Sequence, residues 1–243
     1  MDGKLVDNMD VTKFTNMPLE RLMAEADQVR RDNIGARLDI CGIVNAKSGA
    51  CGQDCKFCAQ SVHHSADIKE YPLILKQELV KAARKAELNG AERFGIVTSG
   101  NSLDSEELNT ICETVREIST TGKIKPCASL GALSQESLEA LRDSGLTRYH
   151  HNIETSENYY PSIVSTHTFD QRVRTVRAAK KAGLEVCSGG IIGMGETWDD
   201  RMEMAILLRE LDVDSVPLNF LVPVKGTPLA GADGVTTEEA LRT

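Results

Sequence analysis

The sequence contains no run of about 18 apolar residues, so it offers no helix that would span a membrane. The first residues, Met1-Asp2-Gly3-Lys4, lack the apolar stretch of a secretion signal, which favours the cytoplasm. The formal net charge is −8 and no basic stripe is present, which argues against nucleic acid as a partner. Low-complexity segments and an obvious linker are also absent. The 243 residues therefore favour one large domain with a full core.

Cysteine is the residue type that carries most information here. The chain has an odd seven cysteines, which argues against a disulfide framework and for free thiols in a reducing compartment. Cys51, Cys55 and Cys58 lie on one short segment with the spacing C-x3-C-x2-C. Three thiolates on one loop can bind one iron–sulfur cluster and leave one iron open. The spacing therefore predicts a cluster whose open iron binds another molecule.

A zinc site is the main alternative for this segment. Structural zinc needs four ligands, usually from two separated pairs of Cys or His. The fourth ligand would have to be His63 or His64, a few residues after Cys58. The iron–sulfur interpretation is favoured, and both histidines are then expected to be loop residues near the cluster.

Apolar and amphipathic segments alternate along the whole chain. Strands are predicted at 38–44, 93–98, 123–130, 146–153, 184–192 and 215–221. Helices are predicted at 18–36, 77–88, 104–119, 134–144, 169–181, 198–211 and from 236 onward. Repeated βα units indicate a parallel sheet covered by helices. We predict an α/β fold, a (β/α) TIM-type barrel with about six of its eight units present. A helical lead-in would occupy 1–37 and the barrel domain 38–243.

Chemically suggestive segments follow the ends of the predicted strands. The cysteine segment follows the first strand, and Asn152 and Glu154 end the fourth, where their alternation would place both on one side. By the same alternation, His150 and His151 are expected to point to opposite faces. Ligands of parallel sheets bind at the carboxyl ends of the strands. These segments therefore predict one shared active site.

The cysteine segment resembles the signature of radical S-adenosylmethionine (SAM) enzymes, in which SAM binds the open iron. Longer blocks are similar to the biotin synthase family, in the same order and spacing over 39–229. The blocks are AKSGACGQDCKFCAQS (46–61), YHHNIETS (149–156), VCSGGIIGMGET (186–197), and VPLNFL (216–221) running into KGTPL (225–229).

The resemblance implies insertion of sulfur into dethiobiotin to form biotin. In this family a 4Fe-4S cluster cleaves SAM to a 5′-deoxyadenosyl radical, which removes substrate hydrogens. An auxiliary Fe-S cluster, 2Fe-2S or larger, supplies the sulfur. A low-potential electron donor such as flavodoxin or ferredoxin is an expected partner. The family is often dimeric, so a homodimer is also expected.

The resemblance also assigns roles to single residues. Cys51, Cys55 and Cys58 would hold the SAM cluster. The remaining assignments are Phe57 beside the adenine, Gly189 and Gly190 at a strand end that the cofactor approaches, Arg172 at the SAM carboxylate, Asn152 and Glu154 near the SAM ribose and the substrate ring, and Asn219 at the substrate. An ion pair of Arg172 with Asp170 or Glu157 is the alternative for that arginine.

The sequence departs from the family pattern at the auxiliary cluster. Better-known members bind it with three cysteines and one arginine. Cys127 and Cys187 match two of the cysteines, whereas Gly95 stands where the third is expected. Cys41 lies on another predicted strand, and we hypothesise that its side chain converges with those of Cys127 and Cys187 in the barrel interior. The seventh cysteine, Cys112, lies on a predicted helix and is expected in the core.

The second departure is the end of the chain. The family's barrel continues through two more strands, and the arginine ligand lies on the last of them. This chain stops before both, so it is expected to be a fragment or a truncated product. Two alternative functions follow: another radical SAM reaction on the same scaffold, or a non-catalytic remnant that binds one cluster.

Overall fold

A computed structural model describes residues 11–243. Within this range short parallel strands alternate with helices, as predicted. The elements in chain order are α1 (Thr12–Thr15), α2 (Leu19–Asn33), β1 (Cys41–Lys47), α3 (Lys76–Leu88), β2 (Arg93–Thr98), α4 (Ser105–Thr121), β3 (Lys125–Ser129), α5 (Gln135–Asp143), β4 (Arg148–His150), α6 (Phe169–Lys181), β5 (Glu185–Cys187), β6 (Gly190–Ile192), α7 (Trp198–Glu210), β7 (Leu218–Phe220) and α8 (Thr237–Arg242). The expectation about the first four residues, and the start of the predicted lead-in, lie outside the described residues.

The sheet follows the order of the chain. Strands β1 to β5 pair as parallel neighbours in sequence order, and β6 pairs with β7, also in parallel. Isolated bridges from Glu154 to Gly190 and from Cys187 to Ser215 continue the pairing between the two groups. Each connection in the first sheet contains a helix, which parallel strands require. The predicted succession of βα units is confirmed.

The helix starts are set by polar side chains. Asp104 precedes α4 and its carboxylate accepts hydrogen bonds from the backbone N–H groups of Glu106 and Glu107. Ser134 and Thr168 cap α5 and α6 in the same way. Such caps satisfy backbone donors that a helix start leaves without partners. The predicted starts near 104 and 134 are therefore confirmed.

The alternation of side chains along each strand separates the core from the barrel interior. On β2, Phe94 and Ile96 are buried in the core between the sheet and the helices. Arg93, Gly95 and Val97 point the other way and line a cavity on the inner face. Side chains also alternate on the other strands of the first sheet. Every second residue packs into the core, and the residues between them face the cavity.

Apart from β2, the strands differ from their predicted bounds, and β3, β4 and β7 are shorter at both ends than predicted. Strand β1 begins and ends three residues later than predicted, because its pairing with β2 runs from Cys41 opposite Arg93 to Lys47 opposite Thr98. The predicted fifth strand is two strands, β5 and β6. The backbone N–H groups of Ile153 and Glu154 both donate to Gly189 O, which makes the ladder irregular at that point.

The lead-in helix packs against the last helix. Helix α2 ends at Asn33, three residues earlier than predicted, and Gly35 follows with φ +72°. Arg242 Nη1 on α8 donates to Met17 O at 2.7 Å. The division into a lead-in at 1–37 and a domain at 38–243 stays a prediction. In the described range, no helix combines the length and apolar character needed to cross a membrane.

Candidate active site

A cavity of about 520 Å³ runs along the inner face of the sheet. It reaches from the amino ends of the strands to the loops at their carboxyl ends. Nine of the predicted site residues line it: Cys41, Cys51, Cys55, Cys127, Asn152, Glu154, Arg172, Cys187 and Asn219. Phe57 and Cys58 are half-buried and pack against the hydrophobic core beside it. The cavity therefore brings most of the predicted site residues together.

The cluster loop (51–58) is held in shape by its own backbone. Cys58 N donates to Cys55 O at 2.9 Å, which closes a turn between these two thiols. Cys51 pairs with the following segment, since its N–H donates to Gln60 O at 3.0 Å and its carbonyl accepts from Val62 N at 2.9 Å. These hydrogen bonds hold the three cysteines on one folded loop.

Asp54 attaches the cluster loop to the segment before α6. Its carboxylate accepts hydrogen bonds from the backbone N–H groups of Ser165 and Thr166, at 2.9 and 3.1 Å, and from both hydroxyls. Burial raises the pKa of Asp54, but the hydrogen bonds from Ser165 and Thr166 outweigh it and hold the pKa well below its usual value. The sequence interpretation did not single out this residue.

The histidines after the loop bind carbonyls of the loop. His63 Nε2 contacts Gly52 O at 3.2 Å and His64 Nε2 contacts Cys55 O at 3.0 Å. A carbonyl only accepts, so each of these nitrogens donates and offers no lone pair to a metal. Among residues 11–243 no three His, Cys, Asp or Glu side chains are placed to hold a single metal ion. The histidines thus lie in the segment after the cluster loop, as expected, and each is held there by a carbonyl of that loop.

The donor set of the loop fits a thiophilic cluster. Burial raises the pKa of the Cys55 thiol to about 12, and burial also raises that of Cys58. Without metal these thiols keep their protons, and metal binding has to displace them. Soft sulfur donors on a half-buried loop favour iron–sulfur clusters over hard cations.

Arg172 on α6 points into the cavity beside the cluster loop. Its Nη2 donates to Glu154 Oε1 at 2.6 Å and its Nη1 lies 3.4 Å from His151 Nε2. Burial opposes the charge on Arg172, but Glu154 raises its pKa. The alternative ion pair with Asp170 or Glu157 is wrong, because Arg172 pairs with Glu154 and Asp170 pairs with Arg174.

One donor of the Arg172 guanidinium remains free. Its Nε is buried and has no hydrogen-bond partner among the described residues. A buried donor without a partner costs free energy unless a ligand satisfies it. An anionic group such as a carboxylate fits this position, and so the predicted contact with SAM fits this geometry.

Asn152 and Glu154 face the same side, as their alternation predicted. Asn152 Nδ2 lies 3.4 Å from Glu154 Oε2, and its Oδ1 accepts from Gly189 N at 3.2 Å. Asn219 Nδ2 lies 3.4 Å from Gly190 O on the neighbouring strand. The two asparagines therefore bind backbone groups of the strand ends while they line the cavity.

The glycines at this strand end lie close to other parts of the chain. A Cβ atom at Gly189 would lie 2.0 Å from Pro217 O, and one at Gly190 would lie 2.3 Å from Glu154 O. The close approach that these positions permit is therefore between segments of the protein. A role toward the cofactor stays a prediction.

The auxiliary thiols (Cys41, Cys127 and Cys187) line the same cavity, from the first residue of β1, the middle of β3 and the last residue of β5. Cys127 and Cys187 are buried, whereas Cys41 begins β1 and is exposed. Gly95, which replaces the third cysteine of the family pattern, pairs with Ile43 and Cys127 and leaves the wall without a side chain there. The seventh cysteine, Cys112, is buried in the core as predicted.

Three charged residues that the sequence interpretation missed surround the auxiliary thiols. Glu185 bridges Arg93 and Arg148, with N–O distances of 2.8 Å to each. Arg93 Nη1 also lies 3.9 Å from the Cys127 sulfur. Burial raises the pKa of the Cys127 thiol, and the contact with Arg93 opposes that rise. The sequence did contain a signal for these three residues. They alternate with apolar residues on strands whose inner face was already assigned to the site.

The two neighbouring histidines correct a prediction. His150 and His151 both line the cavity, although strict alternation placed them on opposite faces. The strand β4 ends at His150, so the alternation does not extend to the next residue. Burial lowers the pKa of His150 to about 4, and the charges of Arg148 and Arg93 act in the same direction. His151, in contact with Arg172, is buried, and its pKa is also lowered.

Known proteins resemble this chain in sequence and in fold. The family profile of the Radical SAM superfamily matches residues 46–208. A biotin synthase of Geobacter sulfurreducens is 49% identical over 223 residues, which are 91% of this chain and 68% of that protein. A biotin synthase of Clostridium botulinum is 44% identical over 243 residues, or 100% of this chain and 76% of that protein.

Solved structures resemble the fold. The crystal structure of methylornithine synthase superposes with a TM-score of 0.84 at 22% identity, over 98% of this chain and 73% of that one. A maturase of the [FeFe]-hydrogenase superposes with a TM-score of 0.78 at 16% identity, over 96% of this chain and 55% of that one. At these identities the likeness speaks for the fold alone. Together with the cysteine loop and the barrel-type sheet, the sequence matches establish that the chain belongs to the biotin synthase family of radical SAM enzymes.

Proposed function

We propose that this chain is a radical SAM sulfurtransferase that inserts sulfur into dethiobiotin to form biotin. The relatives at 42–50% identity are biotin synthases, and they match most or all of this chain. The observation that carries the proposal is one cavity lined by cysteines of two sets, two from the cluster loop and the three auxiliary thiols. A single-cluster enzyme has no need of the second set.

Different residues of the chain would bind different parts of the cofactors. Cys51, Cys55 and Cys58 would hold the 4Fe-4S cluster on the cluster loop. Arg172 would bind the SAM carboxylate through its free Nε, while Glu154 holds the guanidinium in place. When bound, the cofactors supply hydrogen removal from the substrate carbons and the sulfur atom itself.

The middle of the cavity is assigned to the substrate. Asn152, just after β4, and Asn219, in β7, line it. Each presents an amide, which donates and accepts hydrogen bonds without charge. Such groups suit the neutral ring urea of dethiobiotin. Strand β7, which carries Asn219, is exposed along its whole length, so this side of the cavity is open.

The auxiliary thiols are assigned to the sulfur-donating cluster. Their sulfurs face one cavity from β1, β3 and β5, and the guanidinium of Arg93 lies beside Cys127. A nearby cation stabilises thiolate, the form that binds iron. An external low-potential electron donor of the flavodoxin or ferredoxin type, a cytoplasmic location and a homodimer complete the proposal.

Anaerobic reconstitution of the clusters tests the proposed function. Iron and sulfide are quantified in the wild type, in Cys41→Ser and in Cys112→Ser. We expect two cluster environments in Mössbauer spectra of the wild type, and biotin formed from dethiobiotin with SAM and reduced flavodoxin. Cys41→Ser should lose the second environment and sulfur insertion, whereas the buried core variant Cys112→Ser should keep both. A wild type with one SAM-responsive cluster would contradict sulfur donation and favour another radical SAM reaction. A wild type that binds no cluster would point to a non-catalytic remnant.

A further inference from the structure

The wall around the auxiliary thiols contains a side chain to which neither the sequence nor the proposed function gives a role. In register, Cys127 on β3 lies opposite Arg148 on β4, and His150 on β4 lies opposite Cys187 on β5. Both β4 side chains face the cavity, because Tyr149 between them is buried in the core on the other face. His150 is thus placed beside Cys187 on the neighbouring strand. It is also two residues from Arg148, which lies opposite Cys127.

The three auxiliary thiols leave a cluster with at least one iron position to be filled from elsewhere in the cavity. Arg93 and Arg148 are the nearest charged groups on this wall, but both are engaged. Each guanidinium forms an ion pair with Glu185 at 2.8 Å, and their side chains are only 8% and 12% exposed. Held in these ion pairs, both guanidinium groups stay protonated and have no lone pair to offer, unlike the arginine ligand of the better-known family members. These arginines therefore act as hydrogen-bond donors and countercharges to the thiolates.

His150 is free to bind. Neither of its ring nitrogens has a hydrogen-bond partner among residues 11–243, whereas His63, His64 and His151 all contact a protein group through Nε2. The half-buried imidazole faces the cavity that the auxiliary thiols line. Imidazole nitrogen is an established ligand of iron–sulfur clusters next to cysteine. The ligands of a cluster are distributed over two or more irons, so they do not all need to converge on one point.

We propose that His150 is the fourth protein ligand of the auxiliary cluster and completes a set of three cysteines and one histidine. The proposal rests on the proposed function, since it requires that the auxiliary thiols bind a cluster. A neutral nitrogen donor in place of a thiolate reduces the negative charge of the site. It is therefore expected to raise the reduction potential of the cluster relative to ligation by cysteine alone.

Pulsed electron paramagnetic resonance of the reduced, SAM-free protein tests this ligand. The variant Cys51→Ala/Cys55→Ala/Cys58→Ala removes the first cluster, so the remaining signal belongs to the auxiliary cluster. We expect a directly bound nitrogen in its spectrum. Production with ¹⁵N-histidine should convert the ¹⁴N coupling to a ¹⁵N coupling. In the same background His150→Gln should abolish it, and His167→Gln, which changes another cavity-lining histidine, should leave it intact.

The outcomes separate the ligand from the function. A second cluster, present by iron and sulfide content but without any histidine nitrogen coupling, would overturn ligation by His150 and leave sulfur donation standing. A coupling that persists in His150→Gln would assign the nitrogen to another residue and also overturn the proposal. A wild type that lacks the second cluster altogether would contradict the proposed function, and with it the ligand role of His150 that rests on that function. The isotope experiment needs no substitution at position 150, so a variant that misfolds does not decide the result.

Discussion

The guanidinium of Arg172 and the carboxylate of Glu154 form an ion pair of 2.6 Å in which both side chains are largely buried, with 15% and 8% of their surface exposed. Glu154 has φ +73°, a conformation that residues other than glycine rarely adopt. Backbone hydrogen bonds hold it there, from Glu154 N to Gly189 O and from Ile191 N to Glu154 O. The strand ends therefore position the arginine that is assigned to the SAM carboxylate.

Glu154→Gln should destabilise the protein without its cofactors by about 3 kcal/mol, because it leaves the Arg172 charge buried without its partner. Glu154→Gln combined with Arg172→Gln should cost less than the sum of the single changes. The free energy of unfolding in urea measures both. Arg174→Gln on the same helix is the control, since its exposed pair with Asp170 should contribute less than about 1 kcal/mol. Strictly additive effects of the two buried changes would contradict this coupling.

Most of the fold could be predicted because each βα unit has a local signature. Apolar strands of four to eight residues, polar caps such as Asp104 and glycine stops fix where elements begin and end. The break between β5 and β6 could not be predicted, because it depends on two N–H groups from another strand that both bind Gly189 O. Pairing with a distant strand also moved β1 by three residues.

The candidate site, like the fold, could be predicted only in part from the sequence. The cluster loop was found because its three cysteines are close in sequence. Arg93, Arg148 and Glu185 were missed because charges at strand ends usually face solvent, and only their assembly in one sheet pairs them beside the auxiliary thiols. Asp54 was missed because its hydrogen-bond partners lie more than 100 residues away in the chain.

Asp54→Ala should loosen the cluster loop, because it removes the hydrogen bonds that the Asp54 carboxylate accepts from Ser165 and Thr166 and leaves only the one from the backbone N–H of residue 54 to the Thr166 hydroxyl. Buried hydrogen bonds to a charged group contribute about 1.5–3 kcal/mol each, but these are partly exposed, so we expect a loss of about 2 kcal/mol in total. We also expect faster amide exchange at 165–166 and faster loss of iron to a chelator. Asp67→Ala, an exposed residue of the segment after the loop, should change neither rate. Equal exchange rates in the two variants would show that Asp54 does not anchor the loop.

The same carboxylate should make stability depend on pH. Its pKa is lowered in the folded protein, so Asp54 contributes stability that is present above its unfolded pKa of about 4. That contribution is lost as the pH falls further toward the folded pKa. Asp54→Asn removes the titrating group, so its stability deficit relative to the wild type should shrink between pH 6 and pH 3. Urea unfolding of the metal-free proteins across this range measures the deficit, and a deficit that stays constant or grows on acidification would contradict the assigned cause.

Gly190→Ala should destabilise the strand end that carries Glu154. A Cβ atom there would lie 2.3 Å from Glu154 O and 2.5 Å from Met204 Sδ, and the backbone oxygen has no low-cost way to move. Overpacking of this kind costs about 1–3 kcal/mol. Gly231→Ala is the matched control, because nothing lies within 4 Å of a Cβ at that position. It should be neutral or slightly stabilising, since alanine restricts the unfolded chain more than glycine does. Urea unfolding midpoints compare the two. If Gly190→Ala unfolds at the midpoint of the wild type, then Gly190 is not required for the close contact that holds Glu154, and the Arg172 pair must be positioned by other contacts.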